Sequence, residues 1–317
     1  MDVHAAAHRY VRRVPQPKRV EVEVDGRTLS LSNLGKVLYP AAGFTKAQVI
    51  DYYTRVAPVL LAHLRGRPLT LKRYPNGVEG QFFYEKQCPG HRPDWVRTAA
   101  IPIRTDGRVI DFCLADDLPT LVWLANLADL ELHTSLARAR DIRAPAILAF
   151  DLDPGEPATI VECAQVALAL RDVFDHLGLA AFPKTSGSKG MQVYVPLNTP
   201  HTYEQTKPFA LAIAQLLERR QPKLVVSDMK KSLRAGRVFV DWSQNDEHKT
   251  TVCAYSLRAR ERPTVSTPLR WEEVEAVASG GEPEQLAFSS DDVLARVAEH
   301  GDLFGPVETL RQELPAL

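Results

Sequence analysis

Two apolar segments of this 317-residue chain run directly into acidic residues, and this feature most restricts the fold. Residues 146–150 (AILAF) are followed by Asp151 and Asp153, and residues 238–240 (VFV) are followed by Asp241. Short apolar runs of this kind indicate buried β-strands. Residues i and i+2 of a strand face the same side, about 6–7 Å apart along the backbone. The sequence therefore predicts a sheet that presents carboxylates at the ends of buried strands.

Carboxylates grouped at strand ends repel one another unless a cation lies between them. Carboxylate oxygens are preferred ligands of Mg²⁺ and of Mn²⁺. Three acids also fit two-metal phosphoryl transfer, in which the metal ions stabilise the attacking and the leaving oxygens. We therefore predict that Asp151, Asp153 and Asp241 bind metal. The alternatives are a plain turn, because Asp, Pro and Gly all favour turns, and a nuclease or glycosyltransferase site, which uses similar acid pairs.

A glycine-rich and hydroxyl-rich segment, residues 185–190 (TSGSKG), lies between two predicted strands. Exposed backbone N–H groups, the hydroxyls of Ser186 and Ser188 and the charge of Lys189 suit a triphosphate. The spacing differs from that of a Walker A loop. The segment therefore predicts a phosphate-binding turn, with a hairpin turn that binds no ligand as the alternative.

Strand and helix patterns alternate along the rest of the chain. Residues 20–31 predict a β-hairpin with a type I′ turn at Asp25-Gly26. Thr45 is placed to cap a helix that extends to Leu64, and residues 118–132 predict a second amphipathic helix. His133 would close that second helix, where a lone His is more often a core or capping residue than a functional one. These patterns favour an α+β fold with helices packed against mixed or antiparallel sheets.

Charge is distributed unevenly, although the formal net charge is zero. Basic residues outnumber acidic ones in residues 1–76 and 219–262, and the balance is reversed in residues 272–317. This asymmetry indicates a basic face suited to nucleic acid, with ordinary solvated charge as the alternative. We divide the chain into a flexible basic arm (1–19), a catalytic domain (20–268, with a short linker at its end, 262–268) and a C-terminal helical segment packing on the same domain (269–317).

The cysteines lie far apart and form no CxxC pair; they are Cys88, Cys113, Cys163 and Cys253. This spacing argues against a zinc ribbon and against a disulfide framework, so we expect reduced thiols. No apolar run approaches the roughly 20 residues that a membrane span needs. We therefore expect a cytoplasmic protein without a membrane partner.

In this order, the segments resemble the polymerase domain of bacterial ligase D, which belongs to the archaeo-eukaryotic primase superfamily. The resemblance covers nearly the whole chain, from about residue 20 to residue 310. The matching stretches are LSNLGKVLYP (31–40), LKRYPNGV (71–78), FFYEKQ (82–87), LELH (130–133), FDLDPG (150–155), KTSGSKGMQVYVPL (184–197), KKSLRAGRVFVDWSQN (230–245), KTT (249–251) and YSLRAR (255–260). The resemblance implies a primase-polymerase that fills short 5′-phosphorylated gaps or ends during DNA repair.

The resemblance also implies a role for each matching position. The metal ligands would be Asp151, Asp153 and Asp241, with His133 beside them as a catalytic residue. The nucleotide contacts would be Ser186, Ser188, Lys189, Arg234, Gln244, Lys249 and Arg258. The DNA contacts would be Asn33, Lys36 and Lys46 for a 5′-phosphate, Phe83 and Tyr84 for the template, and the basic residues Lys72 and Arg73. Tyr84 departs from the family, which usually has two phenylalanines there.

The resemblance implies two divalent cations (Mn²⁺ or Mg²⁺), ribo- or deoxyribonucleoside triphosphates as substrates, and gapped or broken double-stranded DNA as the partner. The chain contains no K-x-D-G ligase motif, so sealing would require a separate ATP-dependent DNA ligase, and the family's habits add Ku. We expect a monomer. The main alternative is a catalytically idle module that binds DNA ends and recruits repair partners, which would need the lysines but not three aligned acids.

Overall fold

The computed structural model describes residues 19–103 and 107–315. The predicted basic arm lies outside the described residues, except for Arg19, which begins the first strand. The strands are β1 (Arg19–Val24), β2 (Arg27–Ser32), β3 (Val37–Tyr39), β4 (Phe44–Thr45), β5 (Leu69–Arg73), β6 (Phe83–Glu85), β7 (Thr98–Pro102), β8 (Val109–Cys113), β9 (Asp129–Thr134), β10 (Ala137–Arg138), β11 (Asp141–Pro145), β12 (Ile147–Pro154), β13 (Phe182–Thr185), β14 (Met191–Pro196), β15 (Val225–Val226), β16 (Val238–Asp241), β17 (Thr251–Val252), β18 (Leu257–Ala259) and β19 (Pro263–Val265). The helices are α1 (Lys46–Leu64), α2 (Leu118–Asn126), α3 (Ile160–His176), α4 (Tyr203–Arg220), α5 (Trp271–Ala278), α6 (Ser290–His300) and α7 (Pro306–Thr309).

Two larger sheets organise the described part of the chain. One has the strand order β13-β14-β12-β16-β15, and the other has the order β17-β9-β5-β8-β7, with β6 added on β5. Strand β12 lies in the middle of the first sheet and runs antiparallel to both of its neighbours. A hydrophobic cluster joins α1 and α2 to the second sheet, and a separate cluster joins α3, α4 and α5 to the first. The predicted α+β class is confirmed.

Local chemistry explains the elements that the sequence predicts well. Thr45 caps α1 through a capping box with Gln48, and the helix ends at Leu64, as predicted. The hairpin of β1 and β2 turns at Asp25 and Gly26, whose φ angles of 47° and 72° are those of a type I′ turn. Both predictions are confirmed.

The helix predicted over residues 118–132 was wrong in its second half. Helix α2 ends at Asn126, Ala128 adopts a positive φ of 57°, and β9 follows. In β9, Leu130 and Leu132 face the core, while Glu131 and His133 alternate with them and face the opposite side. His133 is therefore a strand residue and not the end of a helix.

Two further predictions were wrong. The segment 262–268, expected as a linker, forms β19, which pairs with β18 and buries Val265. Cys88 and Cys113 are joined in a disulfide, whereas Cys163 and Cys253 are free and buried. The pair lies on two segments that the sheet brings together, since the backbone N–H of Cys88 bonds to the carbonyl of Asp111 beside Cys113. Sequence spacing does not show this proximity.

A buried charged cluster connects the C-terminal segment to the rest of the chain. Helix α6 packs on α1, and α7 packs on β14. The Glu308 carboxylate of α7 accepts hydrogen bonds from Arg67 at 3.0 Å and from Arg138 at 2.8 Å, and it lies 3.4 Å from His63. His63 also contacts Asp302 at 3.0 Å. No helix among residues 19–103 and 107–315 is long and apolar enough to cross a membrane.

Candidate active site

The register of the first sheet brings the predicted acids together. Asp151 and Asp153 lie on the same face of β12, and Leu152 between them is buried on the other face. On the neighbouring strand, Asp241 lies directly opposite Asp151. The three acids therefore lie on adjacent antiparallel strands, although Asp241 follows Asp151 by 90 positions and Asp153 by 88 positions in the sequence.

Positively charged groups of the protein offset the negative charge of Asp151 and Asp153 only in part. Burial, and then the charges of Asp153 and Asp241, raise the pKa of Asp151 to about 7, although a 3.1 Å hydrogen bond from Gln192 opposes this rise. Burial and Asp241 also raise the pKa of Asp153. Crowded carboxylates that resist ionisation are typical of a site that receives cationic charge from a ligand.

The donor atoms of the acids are not yet gathered for a metal ion. Within the described residues, no three His, Cys, Asp or Glu side chains are arranged to hold one. Asp241 instead accepts hydrogen bonds from Ser243 N at 2.9 Å and from Gln244 Nε2 at 2.7 Å. The residue types, their shared face and the raised pKa values of Asp151 and Asp153 fit divalent cations.

The predicted phosphate-binding turn lies beside the acids. It joins β13 to β14, and β14 pairs with β12 so that Met191 is opposite Leu152. A Cβ on Gly190 would lie 2.1 Å from the carbonyl oxygen of Leu152, so the turn can approach the acid-bearing strand this closely only with glycine. The Ser186 hydroxyl accepts hydrogen bonds from the backbone N–H groups of Ser188 and Gly190 and fixes the turn.

Two arginines of the β18 region hold the same turn. Arg258 donates to the carbonyl oxygen of Ser186, and Arg260 donates to the Ser188 hydroxyl. Together with Asp151 and Asp153 they line a cleft of about 350 Å³, whereas Asp241 is not among the described residues that line it. Of the predicted residues, the cleft is lined by His133, Asp151, Asp153, Ser186, Ser188, Lys189, Arg234, Gln244 and Arg258. Lys249 does not line the cleft but donates to the Ser243 hydroxyl, which in turn bonds to Asp241.

Sequence reasoning missed two buried charged residues next to this cleft. Lys184 is fully buried, its ammonium donates to Val252 O at 3.0 Å and to Ser266 Oγ at 2.7 Å, and burial lowers its pKa to about 7. Glu131 is also buried and contacts several cleft residues. The only sequence signal for Glu131 is the alternation in β9, which places it on the same face as His133.

The residues predicted to bind a 5′-phosphate come together at the start of α1. Asn33 adopts a φ of 54°, and its carbonyl accepts the backbone N–H of Lys36. The carbonyl of Lys36 accepts the backbone N–H of Lys46, and the Lys46 ammonium donates to Ser32 O at 2.7 Å. Burial, and then the charge of Lys36 and of Arg73, lower the pKa of Lys46 to about 8. An anion placed between these cations would relieve their repulsion.

The predicted template contacts lie on β5 and β6. Phe83 and Tyr84 are exposed, as is Phe82. Because alternate residues of a strand share a face, Tyr84 contacts Phe82, with ring centroids 5.6 Å apart, and Lys72 lies 5.4 Å from the Tyr84 ring. Arg73 forms an ion pair with Glu85 at 2.7 Å. Phe82 and Tyr84 form an exposed aromatic surface. Because Tyr84 lies 6.2 Å from His133, this aromatic surface reaches the cleft.

Comparison with known proteins gives matches over most of the chain. The family described as the LigD primase-polymerase domain matches residues 45–304. The multifunctional non-homologous end joining protein LigD of Mycolicibacterium smegmatis is 42% identical over 280 residues, which are 88% of this chain and 36% of that protein. The bifunctional non-homologous end joining protein LigD of Bacillus subtilis is 32% identical over 274 residues, which are 86% of this chain and 43% of that protein. The chain thus spans less than half the length of these relatives.

A solved structure is also similar. The polymerase domain from Mycobacterium tuberculosis ligase D, determined in complex with DNA, superposes with a TM-score of 0.82 at 41% sequence identity. The match covers 90% of this chain and 99% of that domain. The similarity therefore extends over nearly the whole of that domain.

Proposed function

The chain belongs to the LigD primase-polymerase domain family, and from this we propose that it is a template-dependent nucleotidyltransferase that fills short, 5′-phosphorylated gaps or ends in DNA. The observation that carries the proposal is the junction of β12 with the turn before β14. There, two acids of one strand lie next to a turn fixed by Ser186, with Arg258 across the cleft. A site that combines acids with hydroxyl and cationic donors suits a nucleoside triphosphate with its cations.

The proposed reaction is attack of a primer 3′-hydroxyl on the α-phosphate of the incoming nucleotide, which releases pyrophosphate. Asp151, Asp153 and Asp241 would hold divalent cations, Mn²⁺ or Mg²⁺, which when bound supply Lewis acidity for the attacking and leaving oxygens. The turn would bind the triphosphate through the hydroxyl hydrogens of Ser186 and Ser188 and through the ammonium of Lys189, because its backbone N–H groups at Ser188 and Gly190 are bonded to Ser186. Arg258 and Arg260 would offset the charge of the triphosphate. These residues orient the α-phosphate toward the primer end.

Gapped DNA is the proposed partner, and the DNA bound by the mycobacterial polymerase domain supports it. The lysines that would bind the 5′-phosphate lie at the start of α1. Tyr84, which would contact the template, lies 5.4 Å from Lys72 and 6.2 Å from His133 of the cleft. Stacking on aromatic rings and phosphate contacts by lysine are the usual means of holding a strand end. A separate ligase and Ku as further partners, and the monomeric state, remain predictions.

The test of this function is primer extension on a gapped duplex with Mn²⁺ and each nucleotide pool. Addition of nucleotides to the 3′-end supports the proposal. Tight binding to the gap without extension would favour the idle end-binding module, and shortening of the primer would favour a nuclease.

We expect the combined variant Ser186→Ala with Lys189→Ala to raise the nucleotide KM by about ten- to hundred-fold, the effect of losing hydrogen bonds to a charged group. The change removes the hydroxyl that fixes the turn and an exposed ammonium, which now pairs with Glu156 at 2.9 Å. Steady-state kinetics on gapped DNA measures it. Lys207→Ala, which removes another exposed ion pair, serves as the control and should leave KM unchanged. An unchanged nucleotide KM together with weaker DNA binding would show that the turn contacts DNA and not the nucleotide.

We expect Lys36→Ala with Lys46→Ala to abolish the preference for a 5′-phosphate over a 5′-hydroxyl at the gap. Two clustered ammonium groups suit a terminal phosphate, and losing them should also make binding less dependent on salt. Extension of a primer-template without a downstream strand should change little. The control is Arg55→Ala with Arg65→Ala. It removes two exposed positive charges, one within α1 and one at its C-cap, and so tests the effect of lost charge alone. A double lysine variant that still discriminates the two ends would place the phosphate pocket elsewhere.

A further inference from the structure

Glu131 is a buried acid that contacts residues of three different strands. Its side chain is 1% exposed. One carboxylate oxygen, Oε2, lies 3.2 Å from Lys72 Nζ on β5, 3.0 Å from His133 Nε2 on β9 and 3.4 Å from Arg258 Nε on β18. The other oxygen, Oε1, accepts the backbone N–H of Ala259 at 3.0 Å. Both oxygens are therefore engaged by side chains and backbone that surround the cleft.

The charge of Glu131 is fixed by these partners. Burial on its own would raise the pKa of Glu131, but the hydrogen bond from His133 and the charges of Arg258 and Lys72 outweigh it and hold the pKa well below its usual range. An ionised carboxylate only accepts hydrogen bonds, so Nε2 of His133 must carry the proton. Burial lowers the pKa of His133, which favours the neutral ring and leaves Nδ1 as a hydrogen-bond acceptor.

The partners of Glu131 belong to both sides of the proposed substrate site. His133 and Arg258 line the cleft, and Arg258 donates to the turn at Ser186. Lys72 lies 5.4 Å from the ring of Tyr84, and that ring lies 6.2 Å from His133. The Glu131 carboxylate thus contacts His133 and Arg258 beside the proposed nucleotide site and Lys72 beside the aromatic surface, and it fixes the rotamers of these side chains.

We propose that Glu131 is a positioning residue for the incoming nucleotide: it holds Arg258 and His133 in the orientation in which they meet the nucleotide, and it connects them to Lys72 beneath the aromatic surface. This inference rests on the proposed function of the cleft. Glu131 does not itself line the cleft and touches no reacting atom. It acts through the residues that it orients, in the way that outer groups orient the residues of a preorganised site.

The test is Glu131→Gln, which keeps the side-chain volume but removes the charge and turns one acceptor into a donor. We expect the nucleotide KM to rise by about ten- to hundred-fold, since the hydrogen bonds to charged groups are lost, with a smaller change in kcat. The dissociation constant for 5′-phosphorylated gapped DNA should rise by a smaller factor than the nucleotide KM, because Glu131 contacts Lys72 on the DNA side but neither of the predicted 5′-phosphate lysines, Lys36 and Lys46. Glu131→Asp keeps the charge and should recover part of the lost nucleotide affinity.

Glu308→Gln is the matched control. Glu308 is also a buried carboxylate, with Arg67, Arg138 and His63 as its partners. It lies outside the cleft. It should lower the melting temperature while the nucleotide KM stays at the wild-type value. If both glutamine variants change the KM in proportion to their loss of stability, Glu131 has only a structural role and the inference is wrong.

Direct titration with a fluorescent nucleoside triphosphate separates this inference from the proposed function. If the wild type binds the nucleotide but does not extend a primer, the proposed polymerase activity fails, and the affinity ratio of wild type to Glu131→Gln still tests the positioning role. If the wild type extends a primer and Glu131→Gln has the wild-type KM, the inference alone fails. Should Glu131→Gln not fold, Glu131→Asp takes its place, with a raised KM as the expected result and a wild-type KM as the contradiction.

Discussion

Replacing Asp151 or Asp241 with Asn should reduce nucleotide addition by more than about 10³-fold, an effect comparable with the loss of a main electrostatic stabiliser. The two acids lie directly opposite each other on β12 and β16, and the neighbouring carboxylates raise the pKa of Asp151. Asparagine keeps the shape but cannot offset the charge of divalent cations. Single-turnover incorporation into gapped DNA measures the loss.

The same variants should bind gapped DNA as tightly as the wild type or more tightly, because removing a carboxylate reduces repulsion of the phosphates. Asp141→Asn, at an exposed acid that begins β11 outside the cleft, is the control and should retain full activity. An Asp151→Asn variant that kept about a tenth of the wild-type rate would show that Asp151 is not a catalytic residue, since this loss of rate would be far smaller than that caused by removing a main electrostatic stabiliser.

Glu308→Ala should lower the free energy of unfolding by about 3–5 kcal/mol, the usual effect of removing one partner from a buried ion pair. Arg67, which is 1% exposed, would keep its hydrogen bonds to backbone carbonyls but lose its only carboxylate partner among the described contacts. Urea denaturation measures the change. Glu299→Ala removes an exposed carboxylate from the neighbouring helix α6 and should cost far less.

A loss smaller than about 1 kcal/mol, the range of exposed ion pairs, would show that the C-terminal segment is not held by this cluster. The segment would then be held by its apolar residues, such as Val293, Phe304 and Val307, which belong to the same hydrophobic cluster as α1.

The same cluster predicts how stability depends on pH. Burial on its own would raise the pKa of Glu308, but Arg67 and His63 hold it at about 2, below its ordinary 4.5. Its contribution is therefore present above about pH 4.5 and is lost as the pH falls toward 2. His63 behaves in the opposite way: burial opposes its charge, but Asp302 and Glu308 raise its pKa. Its contribution is present below pH 6.5 and is lost as the pH rises through the raised value.

Local chemistry explains what could be predicted from the sequence. The capping box at Thr45, the Asp25-Gly26 turn and the acids after two apolar runs are signals carried by adjacent residues. The same signals placed two of the three acids on one strand face, and the pairing of β12 with β16 supplied the third. The roles predicted for the lysines at the start of α1 rested on resemblance, because neither the exposed Lys36 nor the buried Lys46 has a local sequence signature.

The failures have a common physical cause, which is contact between distant segments. Residues 127–132 fit a helix and a strand equally well, and only the left-handed turn at Ala128 and pairing with β5 decide between them. Glu131 is an ordinary acid in the sequence, and its partners Lys72 and Arg258 come from other strands. The bond between Cys88 and Cys113 likewise depends on contact between distant segments, here the loop after β6 and the end of β8.

The central claim is that this cleft adds nucleotides under the direction of a template. The most direct measurement is single-nucleotide incorporation by the wild-type protein into a 5′-phosphorylated gap, with each of the four template bases, each nucleotide supplied singly and Mn²⁺ present. We expect the nucleotide complementary to the template base to be added in each case, and none to be added by Asp151→Asn. Folded wild-type protein that binds the gap but adds no nucleotide, or adds the same nucleotide whatever the template base, would contradict the claim.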